Sequence, residues 1–184
     1  IDIVEMVLGG LVNKEIVALI NSQGGSAVGL SGKDGGLLCA TKLILKSSNS
    51  EEPADNIELG HVGEIKSIDP EIIKTLISTG FIPVIAPIAF GEDNVTYNVN
   101  ADTVAGLLAS KLGAEKLILL TDTPGVINQN DELLTGLSDD QVEKLICDGV
   151  ITGGMLPKVR CALNAVSNGV RTVTISDGRV AHAV

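Results

Sequence analysis

The sequence predicts an α/β fold, a three-layer α/β/α sandwich whose central sheet is mainly parallel. Three observations predict it. Apolar strand-like runs alternate with helical patterns along the chain, which implies right-handed βαβ crossovers and a sheet covered on both faces. Runs such as Leu117-Ile118-Leu119-Leu120 are continuous, the mark of strands buried on both sides. Aromatic residues are 2% of the chain (Phe81, Phe90 and Tyr97) against 21 glycines, so the core must be built from Val, Ile, Leu and Ala.

The elements follow in order. A helical pattern runs from about Asp2 to Asn21, interrupted or bent near Gly9-Gly10. Ala27-Val28-Gly29-Leu30 reads as a buried strand. Leu37 to Leu45 pairs with His61 to Ile68 as hairpin-like strands around an exposed polar loop, Ser47–Asn56. Asp69-Pro70 starts a helix, with proline at the first helical position, that ends near Gly80. Ile82-Pro83-Val84-Ile85-Ala86 is the next strand. After a loop, Asn100 or a neighbour caps a helix from Ala101 to Leu112, closed by Gly113. Leu117–Leu120 is a strand, Ser138 begins a helix with Asp139 and Asp140 in its first turn, Thr152-Gly153-Gly154 leads a helix to Asn168-Gly169, and Thr172–Ile175 is the last strand. No internal repeat or domain boundary interrupts this pattern, and 1–184 reads as one partial domain.

Net charge is −10, from 13 basic and 23 acidic side chains. An acidic surface with so few stacking platforms argues against nucleic acid as a partner. No apolar run is long enough to span a bilayer, so no membrane association is expected. Cys39, Cys147 and Cys161 lack metal-type spacing and read as buried thiols of a reducing compartment. Ile1 opens inside a helical pattern without a cap, and the sequence stops at Val184 without a turn, so truncation within a larger domain is expected.

Several familiar signatures fail on inspection. The stretch Gly29-Leu30-Ser31-Gly32-Lys33-Asp34 is not a phosphate loop, because Ala27 stands where glycine is needed and Asp34 where Ser or Thr is needed. GxGxxG and GxSxG are absent, and His61 and His182 lack the spacing of a metal pair. These histidines read as surface or hydrogen-bonded groups, and no metal-ligating set is assigned.

Three segments lie at strand C-terminal ends or helix N-terminal ends, where open α/β sheets bind ligands. In Asn98-Val99-Asn100-Ala101-Asp102, two amides and a carboxylate lead into a helix; capping alone accounts for Asn100. In Leu120-Thr121-Asp122-Thr123-Pro124-Gly125-Val126, an apolar strand ends in a hydroxyl and a carboxylate before a Pro-Gly turn. An ordinary turn and a nucleotide-contacting loop fit it equally. In Val150–Arg160, Gly153-Gly154 precedes Pro157, and Lys158 and Arg160 fall near a helix start where the macrodipole disfavours cations. No acidic residue between Gly149 and Arg160 offsets them, which favours an anion site, most naturally for phosphate.

These stretches in this order, together with Val4-Glu5-Met6-Val7-Leu8, Gly29–Gly35 and Leu59-Gly60-His61-Val62-Gly63-Glu64, resemble the acetylglutamate kinases of the amino-acid kinase superfamily over essentially the whole chain. The GLSGKDG and VEMVL stretches are similar to the arginine-inhibited type. The resemblance implies transfer of the ATP γ-phosphoryl group to the side-chain carboxylate of N-acetyl-L-glutamate, with Mg²⁺ bound chiefly through phosphates. By position it makes Lys158 the lysine that stabilises the transition state and Asp102 the carboxylate that organises catalytic lysines. Asn98 becomes a contact to acetylglutamate. Thr121, Asp122, Thr123, Pro124, Gly125, Val126 and Ile127, with Val150, Ile151, Thr152 and Met155, become nucleotide contacts. It further implies a homo-oligomer at full length, arginine as feedback inhibitor, and the cytoplasm or a plastid stroma.

The family's KxGG strand, HGGG loop and substrate-binding arginine have no counterpart here, and the strands after the HxLL-like position at His182 are also missing. This chain alone is therefore expected to be inactive. Alternatives are another amino-acid kinase (glutamate 5-kinase, aspartokinase or carbamate kinase) or a non-catalytic ligand-binding regulatory domain of the same fold.

Overall fold

The computed structural model describes residues 1–46 and 56–183; the polar loop expected at Ser47–Asn56 lies almost wholly outside the described residues. The chain forms two compact units, Ile1–Val104 and Ala105–Val184.

The first unit opens on a continuous helix whose winding changes along its length. It is α-helical over Asp2–Glu5 (α1), π-helical over Met6–Val12, and α-helical again over Asn13–Ser22 (α2). The bend expected at Gly9-Gly10 is thus a widened turn, since two residues without β-carbons ease the looser winding. Strand β1 (Ala27–Ser31) pairs in parallel with β4 (Ile82–Ala86), from Ala27 opposite Ile82 to Ser31 opposite Ala86. Helix α3 (Glu71–Ser78) precedes β4 and buries Ile73. Pro70 occupies the N-cap, one position before the place expected for it.

Strands β2 (Leu38–Lys46) and β3 (Asn56–Ile68) form the expected antiparallel hairpin. The segment between β4 and Asn100, expected as a loop, instead carries two short strands, β5 (Ile88–Gly91) and β6 (Thr96–Val99). The four close into a small barrel in the order β2-β3-β6-β5, with β2/β5 and β3/β6 parallel. Leu37, Leu38, Ala40, Ile88 and Ala89, in or beside these strands, are aliphatic and fully buried. Tyr97 is buried too, and its phenol donates to Asp93 Oδ2 at 2.7 Å, the partner a buried hydroxyl requires.

Helix α4 (Ala101–Leu112) runs into the second unit, which contains β7 (Lys116–Thr121), α5 (Asp139–Cys147), α6 (Met155–Ser167) and β8 (Thr172–Asp177). Strands β7 and β8 are parallel, running from Lys116 opposite Thr172 to Thr121 opposite Asp177. Ala109, Leu117, Leu119, Ala165 and Val170 make the core. Ser138 caps α5 in a reciprocal pair with Gln141, fulfilling the start expected there. One expectation fails for a physical reason: Cys39 is buried and Cys161 half-buried, but Cys147 closes the polar helix α5 and is exposed. Among the described residues no helix is long and apolar enough to cross a membrane.

Candidate active site

Within the first unit, Asn98 sits near the end of β6, opposite Ile88 of β5 on one side and Val62 of β3 on the other. It is half-buried, and its side-chain amide makes no hydrogen bond among the described residues. Asn100 does what capping requires, its Oδ1 accepting from the Thr103 N–H at 2.9 Å. That bond fixes the first turn of α4, from which the half-buried Asp102 projects.

In the second unit, the C-terminal ends of β7 and β8 meet at Thr121 and Asp177, and the Gly178 N–H donates to the Thr121 carbonyl at 2.9 Å. The chain then leaves the sheet through Asp122, Thr123, Pro124 and Gly125. Gly125 is buried at φ +140, and a β-carbon there would lie 3.0 Å from the Ile175 carbonyl oxygen, so only glycine fits. Ile127 then bridges Leu133 in a short excursion closed by Asn128, whose Nδ2 donates to Glu132 Oε2 at 2.8 Å. The Thr123 hydroxyl is buried without a hydrogen-bond partner among the described residues, and its loop has the small, backbone-rich character of a ligand cradle.

The third segment leads into α6. Ile151 is buried, Val150 and Met155 are half-buried, and Thr152, Gly153 and Gly154 are exposed. Helix α6 has no side-chain cap and no acidic residue in its first turn. The N–H groups of Thr152, Gly153 and Gly154 make no hydrogen bond among the described residues. Donors and helix dipole together favour an anion. Lys158 lies half-buried one turn inside this end. Arg160 has a different role from the one its position suggested: Nη1 donates to Glu143 Oε1 of α5 at 2.6 Å. The acidic offset missing from the local sequence comes from the preceding helix.

The sequence reading missed Arg179. Its Nε and Nη2 grip Asp177 Oδ1 and Oδ2 at 2.9 and 2.8 Å, and Nη2 also donates to the Asp122 carbonyl. Hydrogen bonds from the Arg179 side chain, then from its backbone N–H, hold the Asp177 carboxyl down at about 2. The only sequence signal was Asp-Gly-Arg at the end of an apolar strand, the same grammar that singled out Thr121-Asp122. Asn98 and Asp102 belong to the first unit, whereas Thr121–Ile127, Val150–Thr152, Met155 and Lys158 belong to the second.

Comparison with known proteins shows the family of the chain. The model of the amino acid kinase family matches residues 1–177. An acetylglutamate kinase of Alkalilimnicola ehrlichii is 61% identical over 99% of the chain and 60% of its own length. One of Halorhodospira halophila is 59% identical over the whole chain and 61% of its own. The chain thus spans about three fifths of these relatives. A solved structure, smu.665 of Streptococcus mutans, superposes with a TM-score of 0.79 at 30% identity, covering 94% of this chain and 65% of that one.

Proposed function

This chain belongs to the amino acid kinase family, and from that premise we propose that the protein containing it is an acetylglutamate kinase. It would transfer the γ-phosphoryl group of ATP to the side-chain carboxylate of N-acetyl-L-glutamate, a step of arginine biosynthesis. The observation that carries the reading is the 61% identity to a relative of that name across 99% of the chain. The family match spans unit 1–104 and most of unit 105–184, and we read the two as parts of one partial kinase domain.

The chemistry suits the residues. The acceptor carboxylate is ionised at neutral pH, so no general base is required. One of its oxygens bonds to the γ-phosphorus as the bond to the bridging oxygen breaks, giving an acyl phosphate and ADP. Catalysis then rests on alignment and on neutralising charge at the transferring group. Lys158 and the N–H groups of Thr152 to Gly154 supply positive charge and donors where α6 begins. Asp102 orients the catalytic lysines, and the uncommitted Asn98 amide receives acetylglutamate. Thr121–Ile127, Val150–Thr152 and Met155 hold the nucleotide, the buried Thr123 hydroxyl finding its partner there. Mg²⁺ is carried on the phosphates, whose hard oxygens it prefers; the described residues contain no group of three or more His, Cys, Asp or Glu placed to hold a metal ion.

Self-association of the full-length protein belongs to the same reading, with the exposed Ile3, Met6, Leu11 and Leu19 of the first helix offering apolar surface for it. Arginine inhibition and a cytoplasmic or plastid location rest on the resemblance alone. The test uses the full-length protein with ATP and a panel of acceptors, trapping acyl phosphate with hydroxylamine. Product is expected with N-acetyl-L-glutamate. Equal or better turnover of unacetylated glutamate, aspartate or carbamate would assign a different amino-acid kinase, and no turnover of any acceptor would favour a regulatory domain of this fold.

A further inference from the structure

The second unit holds a guanidinium that the proposed reaction does not use. Asp177 is the last residue of β8, paired with Thr121 at the last position of β7. Its carboxylate accepts the Arg179 backbone N–H at 2.9 Å and both prongs of the Arg179 fork at 2.9 and 2.8 Å. The Asp177 side chain is 12% exposed, so the acidic half of this pair is fixed by its surroundings, while the Arg179 side chain is 68% exposed. From that anchor Nη2 also donates to the carbonyl of Asp122, the first residue past β7. A planar guanidinium spans such a three-way arrangement with little loss of freedom; the single rotating ammonium of lysine cannot.

What it holds matters more than how tightly. Among the described residues, the Arg179 bond is the only hydrogen bond made by the backbone of Asp122 to Gly125. The next backbone tie is the Val126 carbonyl, which accepts from Leu134 at 2.8 Å. The turn that carries the buried, unpartnered Thr123 hydroxyl is therefore tethered at its entrance by one side chain.

We propose that Arg179, braced by Asp177, is a positioning residue for nucleotide binding that holds the entrance of the Thr121–Ile127 loop in its ligand-accepting form. This rests on the reading that the loop contacts ATP.

The experiment uses the full-length protein. Calorimetry with ADP and AMP is combined with steady-state kinetics in both substrates and with thermal unfolding, for wild type, Arg179→Ala, Arg179→Lys and Asp177→Asn. Loss of a charge-assisted tether in Arg179→Ala should raise the Kd for ADP and the KM for ATP roughly tenfold. The kcat and the KM for acetylglutamate should stay near wild type, separating this from a general structural role, while Tm falls modestly because the Asp177–Arg179 pair is lost. Arg179→Lys should resemble Arg179→Ala, and Asp177→Asn should fall between. The loss should be equal for ADP and AMP, since the tether acts on the loop. An unchanged KM for ATP overturns the proposal. So does full rescue by lysine, a loss confined to ADP (direct contact with the terminal phosphate), or a loss shared by both substrates. A wild-type protein that binds no ADP removes the nucleotide reading itself, and the proposal with it.

Discussion

Asn13 Oδ1 occupies the space that a side chain at Gly29 would need: a β-carbon there would lie 1.9 Å from it. Asn13 is 3% exposed, and its Nδ2 donates to the carbonyls of Leu30 and Val84 at 3.2 and 2.8 Å, tying α2 to both strands of the β1/β4 pair. The amide cannot swing aside without breaking those bonds. Gly29→Ala should therefore cost about 1–3 kcal/mol by overpacking. Asn13→Ala should cost about 1–3 kcal/mol by removing the two hydrogen bonds that tie α2 to the strand carbonyls. Removing the amide also opens the space, so the double variant should be more stable than the sum of the two losses implies. Urea unfolding of all four proteins checks this; strict additivity would refute the coupling.

Lys158 and Arg160 stand two residues apart at the start of one helix and should behave oppositely. Arg160 is committed to Glu143 in a half-exposed pair, so Arg160→Ala should change stability by less than about 1 kcal/mol and leave turnover near wild type. Lys158→Ala in the full-length protein should lower kcat by about 10²–10³ with a much smaller change in ATP affinity. Kinetics of the two variants side by side decide it, and unchanged turnover in Lys158→Ala would remove that residue from the mechanism.

Most of the fold was legible in the sequence, and what escaped did so for physical reasons. The continuous aliphatic strand at Leu117–Leu120, the Ser138 cap and the glycine-ended helix at Leu112 are set by neighbours in the chain, which pattern reading detects. Strands β5 and β6 have four residues each, too few for a period to declare itself, and they exist because the barrel supplies partners. The Arg160–Glu143 pair joins residues 17 apart and Arg179–Asp122 joins residues 57 apart, so no local window contains them. Of the candidate site, the strand-end and helix-start positions were legible from turn and capping chemistry. The tether on the loop was not, because it depends on β7 and β8 ending side by side.

Asn98 offers a cleaner test of the acceptor side. Its amide makes no hydrogen bond among the described residues, so Asn98→Ala removes no hydrogen bond the described fold depends on. Tm should shift only slightly, while the KM for N-acetyl-L-glutamate should rise roughly tenfold or more, with the KM for ATP near wild type. A loss of stability without a change in acceptor KM would make Asn98 a structural residue.

The Asp177–Arg179 pair also predicts how stability responds to acid. The Asp177 carboxyl titrates at about 2 in the folded protein against 3.8 for an ordinary aspartate. A depressed folded-state value means the folded protein binds fewer protons than the unfolded chain. The pair's contribution is thus fully present above the unfolded pKa and is lost as pH falls through the folded one. Wild type should exceed Asp177→Asn in stability by a constant margin down to about pH 5, and the margin should shrink between about pH 4 and pH 2. Asp93 is also held low, chiefly by the Tyr97 hydroxyl and then the Val95 N–H, but it titrates alike in both proteins and cancels in the difference. Urea midpoints of the two proteins across that range check the prediction. A margin that stays constant down to about pH 2, or widens, would show that Asp177 gains nothing from Arg179 in the folded state.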